Sequence, residues 1–286
     1  MENGIFAGLE AMGLGDLKDE DIFKDNHLEP TQNQETGKEK KPQIREEDML
    51  FDKTYECPVC NSSFKERTLR TGKARLIGTD MDLRAKFEGI EPLKYDVVLC
   101  PRCGYTAVSR YFGPLATPQR KKILEKITPN YIKQEEHHEV FSYEEAINRY
   151  RLALVNAVVK MAKASEKAYI CLRAGWLVRS YLESLNEEEP QNVDKIHETE
   201  QLENEFLKNA YDGFTTARGQ EGYPMCGMDE VTVDYLIANL SMRFGHYDEA
   251  AKILSALLVS PSCNNRMKDK VRDLREELKT RLLNDK

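Results

Sequence analysis

No run in this 286-residue chain approaches the length needed to cross a bilayer, which takes about 18 consecutive apolar residues. No basic segment leads into a long apolar core at the N-terminus, so neither a membrane span nor a secretory signal is predicted and the expected compartment is the cytoplasm. Phosphate-cradling glycine loops, nucleophile elbows and H-E-x-x-H helices are absent too, which removes the usual sequence routes to nucleotide, serine-hydrolase and zinc-protease chemistry. Cysteine is sparse and odd in number: of seven, four sit in two C-x-x-C pairs, and Cys171, Cys226 and Cys263 stand alone. Without a signal peptide, that count argues against a disulfide framework.

What is present is charge: 32% of residues are charged and 40% hydrophobic, as in a soluble protein with a charged helical surface and room for a sizeable core. The net charge of −7 is unevenly spread. Residues 1–54 carry 14 acidic and 7 basic side chains, residues 55–112 carry 7 and 10, and residues 113–286 carry 28 and 25. Three segments follow: an acidic disordered tail and linker (1–54), a small β module (55–112) and a helical domain (113–286). In the tail, Ile5, Phe6, Leu9, Met12, Leu14 and Leu17 form an apolar pattern broken by glycines. It reads either as a disordered start or as a short linear segment that docks on a surface.

The first cysteine pair is Cys57-Pro58-Val59-Cys60 and the second is Cys100-Pro101-Arg102-Cys103, followed by Gly104-Tyr105. A C-x-x-C knuckle aims two sulfurs and nearby backbone N–H groups at one ion, and two knuckles supply the four soft ligands of a tetrahedral zinc site. The predicted cofactor is a structural Zn2+ on Cys57, Cys60, Cys100 and Cys103. Four cysteines leave no open position for catalysis. A rubredoxin-like iron site uses the same sulfur set, and a dithiol redox pair is a further rival. The 39 residues between Cys60 and Cys100 exceed the common spacing, but doubling a loop costs only about 0.6 kcal/mol. A structural zinc contributes about 10–16 kcal/mol.

Between the knuckles lies a basic, strand-favouring stretch in which Arg67, Arg70, Lys73 and Arg75 are candidate nucleic-acid contacts. Aromatic residues for base stacking are absent there, and a solvated strand face is the ordinary reading. Asp80 and Asp82 follow in T-D-M-D. They suit a hard cation, a nearby arginine, or a turn with side-chain-to-backbone hydrogen bonds, and the turn is the simplest of these. Gly104 fits a post-knuckle turn that requires positive φ.

From Thr117 the pattern becomes helical. Thr117-Pro118 starts a short helix to about Lys126, and His137 and His138 lie in a charged linker or helix start. Ser142 opens a capping box, and the run Leu152–Val159 is apolar on more than one face, which predicts a helix sandwiched between neighbours. Further helices are predicted over 166–185 and 201–217, separated by a polar insert from Asn186 to Glu200. An antiparallel pair is predicted over 233–258 around Gly245, and a charged capping helix over 264–282. The 233–258 pair resembles a tetratricopeptide repeat in its G-x-Y-x-E-A turn. The fold class is therefore mainly α, with a small β zinc-ribbon-like module ahead of a tetratricopeptide-like helical array.

The combination C-P-V-C-x-x-x-F, a basic strand, T-D-M-D, and G-I-E-P-L-x-Y-D-V-V-L-C-P-R-C-G-Y resembles the bacterial domain-of-unknown-function 2225 family over roughly residues 50–260. The resemblance implies a bacterial cytoplasmic protein with a zinc-ribbon-like module before tetratricopeptide-like helices, and it implies no reaction. The leading expectation is a non-enzymatic scaffold or adaptor that binds a protein or peptide partner through the helical array. Arg173, Trp176, Asn239 and Arg243 are its groove candidates. Asn239 and Arg243, four apart, share a helix face. Nucleic-acid binding by the ribbon is the alternative. An enzyme built on Asp80, Asp82, His137 or His138 is the remote one.

Overall fold

β-branched and aromatic residues flank both knuckles, and the strands they form meet across the cysteine turns. The computed structural model describes residues 45–133 and 139–284. Strand β1 (Leu50–Glu56) pairs antiparallel with β2 (Ser63–Leu69), Leu50 opposite Leu69 and Glu56 opposite Ser63, with the first knuckle in the turn between them. β3 (Leu76–Thr79) pairs with β4 (Ala85–Phe87) across the T-D-M-D turn. β5 (Val97–Leu99) pairs with β6 (Thr106–Val108) across the second knuckle. The β module is thus three two-stranded antiparallel sheets.

The module starts earlier than residue 55. β1 begins at Leu50, and Met49 and Leu50 are buried with Ile90, Tyr95 and Phe141. Residues 45–54 are therefore not tail. The apolar pattern between Ile5 and Leu17 and the His137-His138 pair lie outside the described residues.

Seven α-helices follow among the described residues: α1 (Thr117–Lys126), α2 (Tyr143–Val159), α3 (Ala164–Glu188), α4 (Val193–Gln220), α5 (Glu230–Arg243), α6 (Tyr247–Val259) and α7 (Asn265–Asn284). Local chemistry sets several ends. Ser142 Oγ accepts from Glu145 N–H at 3.0 Å to cap α2, and Asp229 Oδ1 accepts from Thr232 N–H at 2.8 Å to cap α5. Gly245 at φ +77° turns the chain between α5 and α6, where Ala238 and Ala250 are fully buried. None of the described helices is long and apolar enough to cross a membrane.

One expectation is corrected. The polar stretch Asn186–Glu200 is not an insert between helices: α3 runs to Glu188 and α4 starts at Val193. Its glutamates, lysine and histidine are compatible with helix, so they form the solvated first turns of α4. The later turns bury Phe206, Leu207, Ala210, Tyr211, Phe214 and Ala217 against α3. α2 is sandwiched between neighbours as expected, packing against α3 and against β5, β6 and α1, but it is not enclosed on every side. Val155 and Val158 remain 49% and 57% exposed, because its packed face is the one bearing Tyr150, Ala153 and Ala157.

α3 and α4 approach closely. A Cβ on Gly175 would lie 2.6 Å from Leu207 Cδ2, and one on Gly213 would lie 2.8 Å from Ala168 Cβ. Leu93, Val97 and Val108 of the β module share one apolar core with α2–α7, so module and helices form a continuous packed body within the compact unit 44–286.

Candidate functional site

The two knuckles are built alike. Cys57 N–H donates to Ser62 O and Asn61 N–H to Cys57 O; Cys100 N–H donates to Tyr105 O and Gly104 N–H to Cys100 O. Asn61 and Gly104, each directly after a second cysteine, both take positive φ, +58° and +73°. The paired turns bring all four Sγ atoms within 4.8 Å of one another. Cys57 Sγ lies 3.6 Å from Cys103 Sγ, and Cys60 Sγ lies 3.6 Å from Cys100 Sγ. These separations fit the edges of about 3.8 Å that a tetrahedral ion with metal–sulfur bonds of about 2.3 Å requires. They are far too long for disulfides, and all seven cysteines are free.

The thiols cannot all ionise on their own. Hydrogen bonding to Cys100 together with burial pushes Cys57 up to about 12. Hydrogen bonding to Cys100 and Cys57 also raises Cys103, while Cys100, the acceptor, is held down by Cys103 and Cys57. A dication held by the four sulfurs would supply the missing positive charge. Ser62, which the sequence reading passed over, lies 3.0 Å from Cys60 Sγ and 3.4 Å from Cys100 Sγ, so one hydroxyl touches a sulfur of each knuckle.

Helices hold the knuckles from outside. Arg120 Nε on α1 donates to Val59 O at 2.7 Å, Thr128 Oγ1 to Cys103 O at 3.1 Å, and Asn156 Nδ2 on α2 to Gly104 O at 3.2 Å. Glu66 on β2 is 4% exposed. It accepts from Leu99 N–H at 3.2 Å and pairs with Arg149 of α2 at 3.0 Å.

A second cluster forms where the β3–β4 turn meets the helices. Leu83 N–H donates to Asp80 O, and Asp82 Oδ1 accepts from Arg84 N–H at 3.3 Å, the expected side-chain-to-backbone turn. The carboxylates also hold arginines, the alternative to a hard cation. Asp80 Oδ2 lies 2.7 Å from Arg84 Nε and 3.3 Å from Arg179 Nη1, and Asp80 Oδ1 lies 3.2 Å from Lys86 Nζ. Asp82 Oδ2 accepts from Trp176 Nε1 at 3.0 Å and pairs with Arg179 Nη2 at 2.8 Å. Arg84, whose side chain is 2% exposed, also reaches Glu183 at 2.5 Å and Ser180 Oγ at 2.8 Å. Ser180 donates in turn to Glu91. With every carboxylate oxygen engaged, Asp80 and Asp82 are a poor cation site and poor acid–base material.

The network opens on one side into a cleft of about 190 Å³, lined by Met81 and Asp82 of the turn, Arg179 of α3, and Asn239, Met242 and Arg243 of α5, with α7 closing the far wall. Asn239 and Arg243 are therefore brought together, as expected. Arg173 is elsewhere: its Nε lies 2.5 Å from Asp96 Oδ2 and its guanidinium sits over Tyr169. Trp176 is buried behind Asp82 rather than exposed to the cleft. The basic strand candidates are mostly engaged within the module. Arg67 pairs with Asp52 at 3.1 Å, Arg70 Nε donates to Leu50 O at 2.9 Å, and Arg75 pairs with Glu88 at 3.2 Å. Lys73 is exposed. Arg179 and Glu203 gave no sequence signal, because their roles depend on which helix faces the turn.

These features define a mainly α protein whose N-terminal β module carries a four-cysteine group able to hold one metal ion, compatible with a zinc-ribbon-like unit. The chain belongs to the family described as "Uncharacterized protein conserved in bacteria (DUF2225)", whose model matches residues 50–278. A curated relative from Borreliella burgdorferi (strain B31), itself called an uncharacterized protein, is 33% identical over 75 residues, covering 23% of this chain and 26% of that protein. The chain thus spans about a quarter of the length of that relative. No solved structure matches.

Proposed function

We propose that this protein is a non-enzymatic, zinc-stabilised adaptor that holds a protein or peptide partner in the cleft beside α5, acting in the cytoplasm. The observation that carries this reading is the cleft itself. It is open, lies on a rigid ion-paired floor, and is lined by Asn239 and Arg243 one helical turn apart. Asn239 is part-exposed and its side chain makes no hydrogen bond to any described residue, so its amide is free for a ligand. The G-x-Y-x-E-A turn between α5 and α6 supports a tetratricopeptide-like use of this helix pair.

Zinc is the proposed ion, since four thiolates in a closed tetrahedral set favour it and leave no position for substrate. The nucleic-acid alternative draws less support, because Arg67, Arg70 and Arg75 are occupied within the β module. The test is affinity purification of tagged protein from the native bacterium, with metal analysis of the same sample. The expected result is one zinc per chain and a retained partner whose yield falls at least tenfold for Asn239→Ala combined with Arg243→Ala. If no retained protein depends on those two side chains in a folded variant, the adaptor reading falls.

A further inference from the structure

We infer that Cys60 is a modification site for hydroperoxide, and that its oxidation to a disulfide with Cys100 opens the four-cysteine group. This rests on the zinc reading of that group and is independent of the cleft. Access sets Cys60 apart. Cys57, Cys100 and Cys103 are each at most 1% exposed. Cys60 is part-exposed, and so is Ser62, whose hydroxyl lies 3.0 Å from the Cys60 sulfur. Solvent therefore reaches the group along the Cys60–Ser62 flank, and one sulfur of the four meets a small solute first.

The same geometry supplies the second sulfur. Cys60 Sγ lies 3.6 Å from Cys100 Sγ, and Ser62 Oγ also reaches Cys100 Sγ, at 3.4 Å. Disulfide formation requires those two sulfurs to close by about 1.5 Å. Cys57 and Cys103 are equally close, 3.6 Å apart, but both are buried. Proximity thus allows two pairings across the knuckles, and exposure selects one. The three cysteines outside the group are poor competitors. Cys171, Cys226 and Cys263 are buried, and burial pushes each thiol up, away from the reactive thiolate.

A sulfur that holds a dication is a thiolate, the form that attacks peroxide. The Cys60 thiolate forms an S–O bond with one oxygen of hydrogen peroxide, the O–O bond breaks, and hydroxide leaves. The product is a sulfenic acid. The Cys100 thiolate then attacks that sulfur, the S–O bond breaks, and a second hydroxide leaves. Two thiolates and one hydrogen peroxide become one disulfide and two hydroxides, with two electrons passed to the oxidant. Cys57 and Cys103 remain, and two sulfurs no longer complete a tetrahedral set. The new bond joins the β1–β2 knuckle to the β5–β6 knuckle, so the two hairpins stay linked.

The experiment treats full-length, zinc-loaded protein with hydrogen peroxide and follows ion release with a chromogenic chelator. Disulfides are then mapped by mass spectrometry after free thiols are blocked. The expected result is one zinc released per disulfide, at least tenfold faster than without peroxide, with Cys60–Cys100 the dominant linkage. Dithiothreitol with added zinc should restore the bound ion. A sulfenic-acid probe present during oxidation should label Cys60 and not Cys100. A Cys57–Cys103 or within-knuckle disulfide, or a probe adduct on a different cysteine, would overturn the assignment and leave the zinc reading standing. So would zinc retained in a large excess of peroxide. Protein that purifies and reloads without zinc overturns the zinc reading and this inference with it.

Discussion

At each knuckle a single backbone conformation decides whether the sulfurs converge. The residue after the second cysteine must turn at positive φ so that its N–H can reach back to the first, and the chain uses asparagine once and glycine once, at Asn61 and Gly104. Gly104 has a second constraint, because a Cβ there would sit 2.5 Å from Tyr131 Cγ. Gly72, at φ +76°, faces open space. Gly72→Ala should therefore cost only the backbone strain of about 1 kcal/mol. Gly104→Ala adds overpacking against the ring and should cost about 3 kcal/mol. Urea denaturation midpoints of the two variants check the difference, and equal midpoints would mean that Tyr131 yields freely. The cysteines and Gly104 were legible in the sequence because knuckle chemistry is local. Ser62 was not read, since its contact with Cys100 joins residues 38 apart.

The β3–β4 hairpin works as a plug set into the helical part through Asp80, Asp82 and Arg84. Two carboxyls in this region respond to pH in opposite directions. Burial alone would raise Asp80, but hydrogen bonds and charge from Arg84 and Lys86 outweigh it and hold the group below the usual carboxylate range. Its stabilisation is present above the unfolded value of about 3.9 and is lost as pH falls through the lower folded value. Glu91 is raised by burial, which outweighs its bonds from Ser180 and Leu93 N–H. Its ionised form costs stability above the raised folded value and costs nothing below the unfolded value of about 4.3.

The two neutral amide variants should then diverge. Asp80→Asn should be less stable than the parent at pH 7, with the gap narrowing as pH falls below the unfolded value of about 3.9. Glu91→Gln should be more stable at pH 7, with its advantage vanishing below about pH 4. Urea titrations across that range measure both, and the same sign for the two variants at pH 7 would contradict the assigned environments. At this scale the sequence identified T-D-M-D as a turn but hid its docking target. It also split α4 wrongly, because a solvated helical turn and a polar loop share the same composition.

Over the whole molecule the cysteine group and the larger helical core are two apolar clusters in contact, with Tyr111 packed against both, Ile123 and Val159 of the helices packed on the cysteine side, and polar bonds from Arg120 and Asn156 between them. The four cysteines pack with Val59, Tyr105, Ala107, Ile123 and Ile127, while α2–α7 share their own larger apolar core. Removing the ion with a strong chelator should release one metal per chain and lower the thermal midpoint by at least about 10 °C, since metal binding of this kind is worth many kcal/mol. Most of the helical circular dichroism should survive below that midpoint, with hydrogen exchange accelerating in residues 50–112. An unchanged midpoint after metal loss would show that packing alone holds the module. The sequence by itself determined the four-cysteine group able to hold a metal ion, the order of β module and helices, and most helix positions, because knuckle spacing, caps and 3.6-residue periodicity are written within a few residues of one another. Only the tertiary structure decided that Asp80 and Asp82 face arginines rather than a cation, that Arg173 is tied to Asp96 while Asn239 and Arg243 share a cleft, and that α2 keeps one open face. Each of those outcomes depends on contacts between segments far apart in the chain, whose meeting is set by how the helices pack.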